Sequence, residues 1–440
     1  MIVIENVRVL HFHPGSVSEP MDIAIDGTKI VETGKGLAAK HPKAERLSPG
    51  GYVSPGLVCS HNHFYSALAR GLMVSIKPSK DFAQQLKNMW WLLDRALDEG
   101  IVKASGLVGA ADAAMLGVTA VVDHHASPEY IDGSLDTLRE GFDQVGLRGV
   151  LCYETTDRNG LPDGMAGVRE NERFAKKLDA ERKAGGQSLV EAAIGAHAPF
   201  TVGDETLAAL SAACQSTGRG LHIHVAEDKF DAVDSRYRFG KDICERLDDA
   251  GLLGPKTILG HGLFLTPSEV DLVNERDSFI AHNARSNMNN CVGYNDKIGL
   301  YKNPVLGTDG IGSDMLEEAN FAFFKHHDAG GSMWMDAFLA MLQNGNRLLE
   351  RYFPGKRFGR VEAGCEADLT VWDYDPPTPL EDGNVAGHAA FGMGSRMVVS
   401  TMVAGRFIVK DRKPLFDAGA IAATGRSETR RLWKRMEERK

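Results

Sequence analysis

The chain lacks paired cysteines. Its six, Cys59, Cys152, Cys214, Cys244, Cys291 and Cys365, are scattered, with no C-x-x-C among them. That pattern argues against a disulfide framework and against a cysteine-built zinc site. No run of about 18 apolar residues occurs, so no membrane-spanning helix is expected. The opening "MIVIENVRVL" carries an acid and has no basic segment ahead of a long apolar stretch. No signal peptide is therefore expected, and the cytoplasm is the expected compartment. Positive charge is in deficit: the formal net charge is -9, which disfavours nucleic acid or an anionic membrane as main partner. No G-x-G-x-x-G follows the first strand-like run, and no glycine loop leads into Lys-Ser or Lys-Thr. These absences exclude the dinucleotide-binding and P-loop readings.

The 440 residues present are ordinary in composition, 43% hydrophobic and 25% charged, and enough to bury a large core. From Gly56 to about Arg347, short apolar runs alternate with helical segments: "GLVCSH", "GVTAVVDHH", "GVLCYE", "VEAAIGAHAP", "GLHIHVAED", "TILGHG", "SFIAHN" and "NPVLGTDG". The runs lack polar alternation, as parallel strands buried on both faces do. Eight of them predict a (β/α)8 TIM-like barrel over residues 56–357. Helices such as "IVKASGLVGAADAAMLG" and "DAVDSRYRFGKDICERLDDAG" lie between them. Period-two text with the Asp26-Gly27 turn precedes the barrel, and strand-like text returns after Phe358. Residues 1–55 and 358–420 are expected to pair into a small β-sandwich built from both chain ends. Residues 421–440 are expected to form a charged C-terminal helix.

Most barrel runs end in a histidine or an acid, and a barrel of this kind carries its chemistry at the C-terminal ends of its strands. Two imidazoles at i and i+2 point to one side of a strand, so His61 and His63 can share one ion. Spacing alone decides little, because His11 and His13 in "HFHP" have it too. Those two sit in the N-terminal strands, where packing or surface roles are expected. In "HIHVAED" either His222 or His224 can be a ligand, the other packing behind it, and Glu227 falls where the strand gives way to a loop. His197, His261, His282, His124 and His125 end other runs, and Asp309 sits on a glycine-flanked turn in "LGTDGIGSD". A hydrolytic metal site needs three or four N/O ligands, an open position and a separate proton carrier.

The order HxH, HxxE, lone His, Asp resembles the amidohydrolase superfamily, in particular its mononuclear deaminase branch. "PGLVCSHNH", "GLHIHVAED", "ILGHG", "AHNARSNMNN" and "LGTDGIGSD" resemble its strand-end motifs, and "VEAGCEADLTVWD" its C-terminal β segment. More narrowly, "MWWLLDRALDEG", "VVDHHASPEYIDGSLD" and "NMNNCVGYN" resemble aminohydrolases of the SsnA type, associated with purine breakdown. The resemblance implies that His61, His63, His224 and Asp309 hold one divalent metal ion, zinc or alternatively iron. It implies Glu227 as proton shuttle, His261 as the polarising residue and Asp309 as proton acceptor. It places His197 against substrate, and Asp94 where several relatives carry a glutamate facing the ligand. Of Trp90 and Trp91, one is expected at the pocket mouth and one in the core, with Trp91 the candidate substrate contact. Binuclear relatives carry a carboxylated lysine near the fourth strand. This chain has none there, though Glu154 leaves a second metal open.

The implied activity is hydrolysis of a C–N bond in an N-heterocyclic, purine-related substrate with release of ammonia, by a self-associating enzyme. The alternatives are opening of a cyclic amide or amidine ring and a non-catalytic binding barrel. The segment from Phe64 to Glu99 is expected to be the main loop over the site.

Overall fold

The computed structural model describes residues 1–440. Eight parallel strand segments, buried at nearly every position, form its centre. They are β7 (Leu57–Asn62), β8 (Val118–His125), β9 (Arg148–Tyr153), a fourth split into β10 (Val190–Ala192) and β11 (Ile194–Ala196), β12 (Leu221–Val225), β13 (Ile258–His261), β14 (Phe279–His282) and β15 (Pro304–Leu306). Their burial on both faces explains the unalternating sequence.

Two ladders, β10-β9-β8-β7 and β11-β12-β13-β14-β15, are joined at both ends. Thr155 bridges Ala196, and Asn62 bridges Asp309, both in parallel. The ring is therefore a barrel whose last strand closes on its first. At that seam the amide N–H groups of Thr308 and Asp309 both donate to the carbonyl of His61, at 3.0 Å each.

The chain ends supply a second body. Its strands are β1 (Ile2–His11), β2 (Ser16–Val17), β3 (Met21–Asp26), β4 (Lys29–Gly34), β5 (Glu45–Leu47), β6 (Tyr52–Pro55), β16 (Leu369–Trp372), β17 (Val398–Val403), β18 (Arg406–Lys410) and β19 (Lys413–Pro414). Eight of these ten strands form one hydrogen-bonded path, β19-β18-β17-β16-β6-β1-β3-β4, and β2 and β5 branch from it by pairing with β1. The long β1 makes this possible: its Ile2–Ile4 end pairs with β3 and β5, and its Arg8–Val9 end with β6. Both halves contribute to one apolar cluster that includes Ile4, Ile23, Val53, Leu369 and Met402. The sandwich is thus one folded sheet rather than two separate ones.

Arg148, fully buried, donates to both carboxylate oxygens of Asp368 at 2.7 and 3.0 Å and ties the barrel to this sheet. His11 uses its two ring nitrogens on Ser16 Oγ (3.2 Å) and the amide of Val361 (3.2 Å), a packing role far from the barrel mouth.

Two sequence-based expectations are corrected. "DAVDSRYRFGKDICERLDDAG" is two helices, Lys229–Phe239 and Ile243–Asp249. Gly240 stops the first at φ 67, and Asp242 caps the second reciprocally with Glu245. Residues 64–99 are largely structured rather than a loop, with a 3-10 turn at Phe64–Ala69 and a continuous helix through Phe82–Asp94 that includes a π turn at Leu86–Trp90. The C-terminal helix spans Ala418–Glu438. No helix is long and apolar enough to cross a membrane.

Candidate metal centre and active site

Each barrel strand delivers its chemistry at its C-terminal end. His61 and His63 alternate outward from β7 on the same side. His224 comes from β12, His261 from β13, and Asp309 from the turn after β15. His261 and Asp309 have left-handed backbones, φ 71 and 54. Such φ values are uncommon for residues with a Cβ and are found at sites where a side chain is aimed by the surrounding fold.

The aimed atoms meet. His224 Nε2 lies 3.2 Å from Nε2 of both His61 and His63. Asp309 Oδ1 lies 2.7 Å from His63 Nε2 and 3.5 Å from His61 Nε2. A tetrahedral site with donors about 2.0–2.1 Å from its ion has edges of about 3.3–3.4 Å, close to these separations. Burial lowers the His61 pKa to about 4 and that of His224 well below its usual value, so these rings offer lone pairs. Burial also opposes charge on His63, but the adjacent Asp309 carboxylate overrides it and raises the ring to about 9. Three imidazoles facing one carboxylate oxygen form a donor set suited to a divalent cation.

The rings are held from behind. His63 Nδ1–H donates to the His124 carbonyl at 2.6 Å, and His61 Nδ1 is 2.8 Å from His222 Nε2. His222 therefore supports a member of the cluster, while His224 is the ring of that strand that joins it. His124 is fully buried beside His222, ring centroids 4.5 Å apart. Its ring nitrogen lies within 4.8 Å of those of His61, His63 and His224.

Glu227 and His261 face each other across the open side, Oε2 to Nε2 at 3.5 Å, and His261 Nε2 is 3.8 Å from Asp309 Oδ2. Burial raises the Glu227 pKa, as a proton carrier near neutral pH requires. Three residues of "ARSNMNN" that the sequence reading passed over fix this group. Ser286 Oγ–H donates to Asp309 Oδ2, His261 Nδ1–H donates to Asn287 Oδ1 at 2.8 Å, and Asn290 donates to Glu227 Oε1 at 3.1 Å. Ser286 and Asn290 are four apart, one turn of helix. That spacing of polar residues directly after a barrel strand was the available signal.

A cavity opens beside the cluster, lined by Trp90, Trp91, Asp94, Glu154 and His197 together with His63, His224, Glu227 and Asp309. Both tryptophans line it, so neither is purely core. Asp94 is paired with Arg158, whose guanidinium lies 5.1 Å over the Trp91 ring. Asp94 Oδ1, Trp91 Nε1 and Glu154 Oε2 are buried without hydrogen-bond partners. Glu154 is 3.6–3.8 Å from His124, His63 and His197, and its burial raises its pKa to about 7. It belongs to neither of the two tight groups of ligand atoms, which are His61/His63/His124/His224 and His61/His224/His261/Asp309.

His125, bonded to Ser127 at 2.9 Å, and His282, buried without partners, do not line this cavity. His326, bonded to Tyr294, and His327, bonded to the Met333 carbonyl, also lie outside it. Ser66 bonds the carbonyls of His63 and Gly310.

The chain is 28% identical over 402 residues to 5-methylthioadenosine/S-adenosylhomocysteine deaminase of Thermococcus sibiricus, covering 88% of this chain and 89% of that one. It is 27% identical over 368 residues to 5'-deoxyadenosine deaminase of Methanopyrus kandleri, covering 82% of each. An adenosine deaminase from Xanthomonas campestris, crystallised with bound zinc, has the same fold at TM-score 0.82 and 23% identity over 98% of both chains. The pattern described as the Amidohydrolase family matches residues 52–408, most of the chain and all of the barrel. This protein therefore belongs to the amidohydrolase family and is a hydrolase of C–N bonds.

Proposed function

We propose that the protein is a zinc-dependent aminohydrolase that deaminates a purine-related heterocycle. In this reading His61, His63, His224 and Asp309 are the ligands. One observation carries it: three imidazole Nε2 atoms and Asp309 Oδ1 converge within 2.7–3.5 Å contacts, beside a buried glutamate, and His63, His224, Asp309 and that glutamate line one cavity. The adenosine-type names of the relatives support the substrate class.

A bound divalent ion supplies Lewis acidity and brings the pKa of water toward about 7. The protein's own groups do the rest. Asp309 Oδ2, steadied by Ser286, accepts the proton of the water that attacks the amino-bearing carbon. His261, with Nδ1–H committed to Asn287, turns Nε2 toward the reacting oxygen and stabilises the charge that develops there. Glu227 gives its proton to the adjacent ring nitrogen. It then receives the proton from Asp309's side, passes it to the departing nitrogen, and takes back the hydroxyl proton of the tetrahedral centre as the carbonyl forms. The balance is water consumed, C–N broken, C–O formed and ammonia released. His197, Asp94 and Trp91 contact the substrate, with Trp91 offering a π face and Asp94 a free carboxylate oxygen.

The test is a screen of purines, purine nucleosides and oxidised purines for ammonia release by zinc-loaded protein. Ammonia from at least one supports the proposal. Ring opening without ammonia would replace it with the cyclic-amide reading. No turnover by a protein that binds zinc stoichiometrically would count against catalysis of this class.

A further inference from the structure

His63 and His61 are supported differently. Behind His63 is a backbone carbonyl, which can only accept, so the Nδ1–H tautomer of His63 is fixed by the main chain. Behind His61 is another imidazole, which can donate or accept. Something further along must settle which.

That settlement is visible two residues deeper. His222 Nδ1 is 3.7 Å from Cys152 Sγ, and Cys152 Sγ is 3.6 Å from the carbonyl oxygen of Asp123. Both distances are within reach of sulfur hydrogen bonds. His61, His222 and Cys152 are fully buried, so no bulk water competes for their protons. Burial also keeps the Cys152 thiol protonated. The Asp123 carbonyl only accepts, so the Cys152 S–H points to it. Sulfur is then left as acceptor for His222 Nδ1–H. His222 Nε2 consequently carries a lone pair and accepts from His61 Nδ1–H at 2.8 Å. His61 Nε2 is left unprotonated, and that is the atom facing His224 and Asp309.

We propose that His222 and Cys152 are positioning residues that lock His61 in its ligand tautomer through a one-way relay anchored on the Asp123 carbonyl. The inference rests on the reading of His61 as a metal ligand. The relay is particular to His61, and it assigns a task to a buried cysteine and a buried histidine that the reaction itself does not use.

The experiment compares wild type with H222A, H222Q, C152V and C152S, and with H63A as control. Each is stripped of metal and reloaded, and the Zn²⁺ dissociation constant is measured by competition with a chromogenic chelator. Circular dichroism checks folding. Loss of a group that orients a metal-ligating histidine costs about 10–100-fold in metal affinity, and that loss is expected for H222A. H222Q should restore most of it, because an amide offers one acceptor and one donor at the same depth. C152V, which neither accepts nor donates, should bind more weakly than wild type, and C152S should too, since a serine oxygen on its shorter bond falls out of reach of partners that lie 3.6 and 3.7 Å from sulfur. Binding by H222A within about twofold of wild type overturns the relay. Should H222A fail to fold, a C152V affinity equal to that of wild type overturns it. If wild type binds no Zn²⁺, or H63A binds as tightly as wild type, the ligand reading fails instead.

Discussion

Asp309 and His61 meet twice. The amide of Asp309 donates to the carbonyl of His61 at 3.0 Å, closing the barrel, and the Asp309 carboxylate lies 3.5 Å from His61 Nε2. One pair of residues thus joins the first and last strands and brings two proposed ligands together. The seam has little slack: a Cβ on Gly307 would come within 2.6 Å of His61 Cβ and 2.9 Å of the His61 carbonyl oxygen.

Gly307→Ala should therefore force strands β15 and β7 apart at the site. Overpacking of this kind costs about 1–3 kcal/mol. Denaturant unfolding should show that loss, and zinc titration should show weakened binding in the same variant. A stable variant with undiminished zinc affinity would contradict the tight seam.

Glu227→Gln should keep the metal and lose turnover. The variant retains the hydrogen bond to Asn290 but cannot carry a proton, and such help is worth about 10²–10⁴ in rate. Metal analysis together with kcat on the substrate found by the ammonia screen checks this. A kcat within threefold of wild type removes Glu227 from the mechanism.

Arg148→Ala should be severely destabilising without touching the site. It strands the buried carboxylate of Asp368, and breaking a buried pair costs about 3–5 kcal/mol. The replacement also empties the space where the guanidinium lies 4.8 Å over the Phe358 ring. Urea denaturation should report the loss, while zinc stoichiometry in the folded fraction stays at that of wild type.

Asp231 should make stability fall between mildly acidic and neutral pH. Its buried carboxylate accepts from the amides of Ala226 (2.7 Å) and Phe200 (3.1 Å), yet desolvation dominates and raises its pKa to about 7. Below about pH 4 the group is protonated folded or unfolded and costs nothing. Between about 4 and 7 the unfolded chain ionises first, so stability declines as pH rises; above 7 the difference is constant. Asp231→Asn removes this titration. Its stability relative to wild type should improve from pH 4 to pH 7, by about 4 kcal/mol at most, and then level off. A pH-independent difference would refute the assignment.

The barrel was legible because each of its strands is a short, doubly buried run whose last residues break the apolar pattern with a histidine or an acid. His61, His63, His224, Glu227, His261 and Asp309 all stand at such breaks, and all are gathered in the structure. The division of labour between His222 and His224 was not legible, since both point inward from one strand and only depth in the barrel separates them. Ser286, Asn287 and Asn290 escaped because their partners depend on how one short helix is rotated against its neighbours. The single path through the end sheet was hidden for a similar reason: nothing in the text of β1 says that its two ends pair with different strands.

The closure between Asn62 and Asp309 has a consequence for biosynthesis. His61 and His63 leave the ribosome some 250 residues before their carboxylate neighbour. Until the chain has been made through Asp309, the first strand has no partner for that edge and the set of donors is incomplete. A cation captured afterwards would lie across that final joint, held from both sides by donors of the first strand and of the turn after the last.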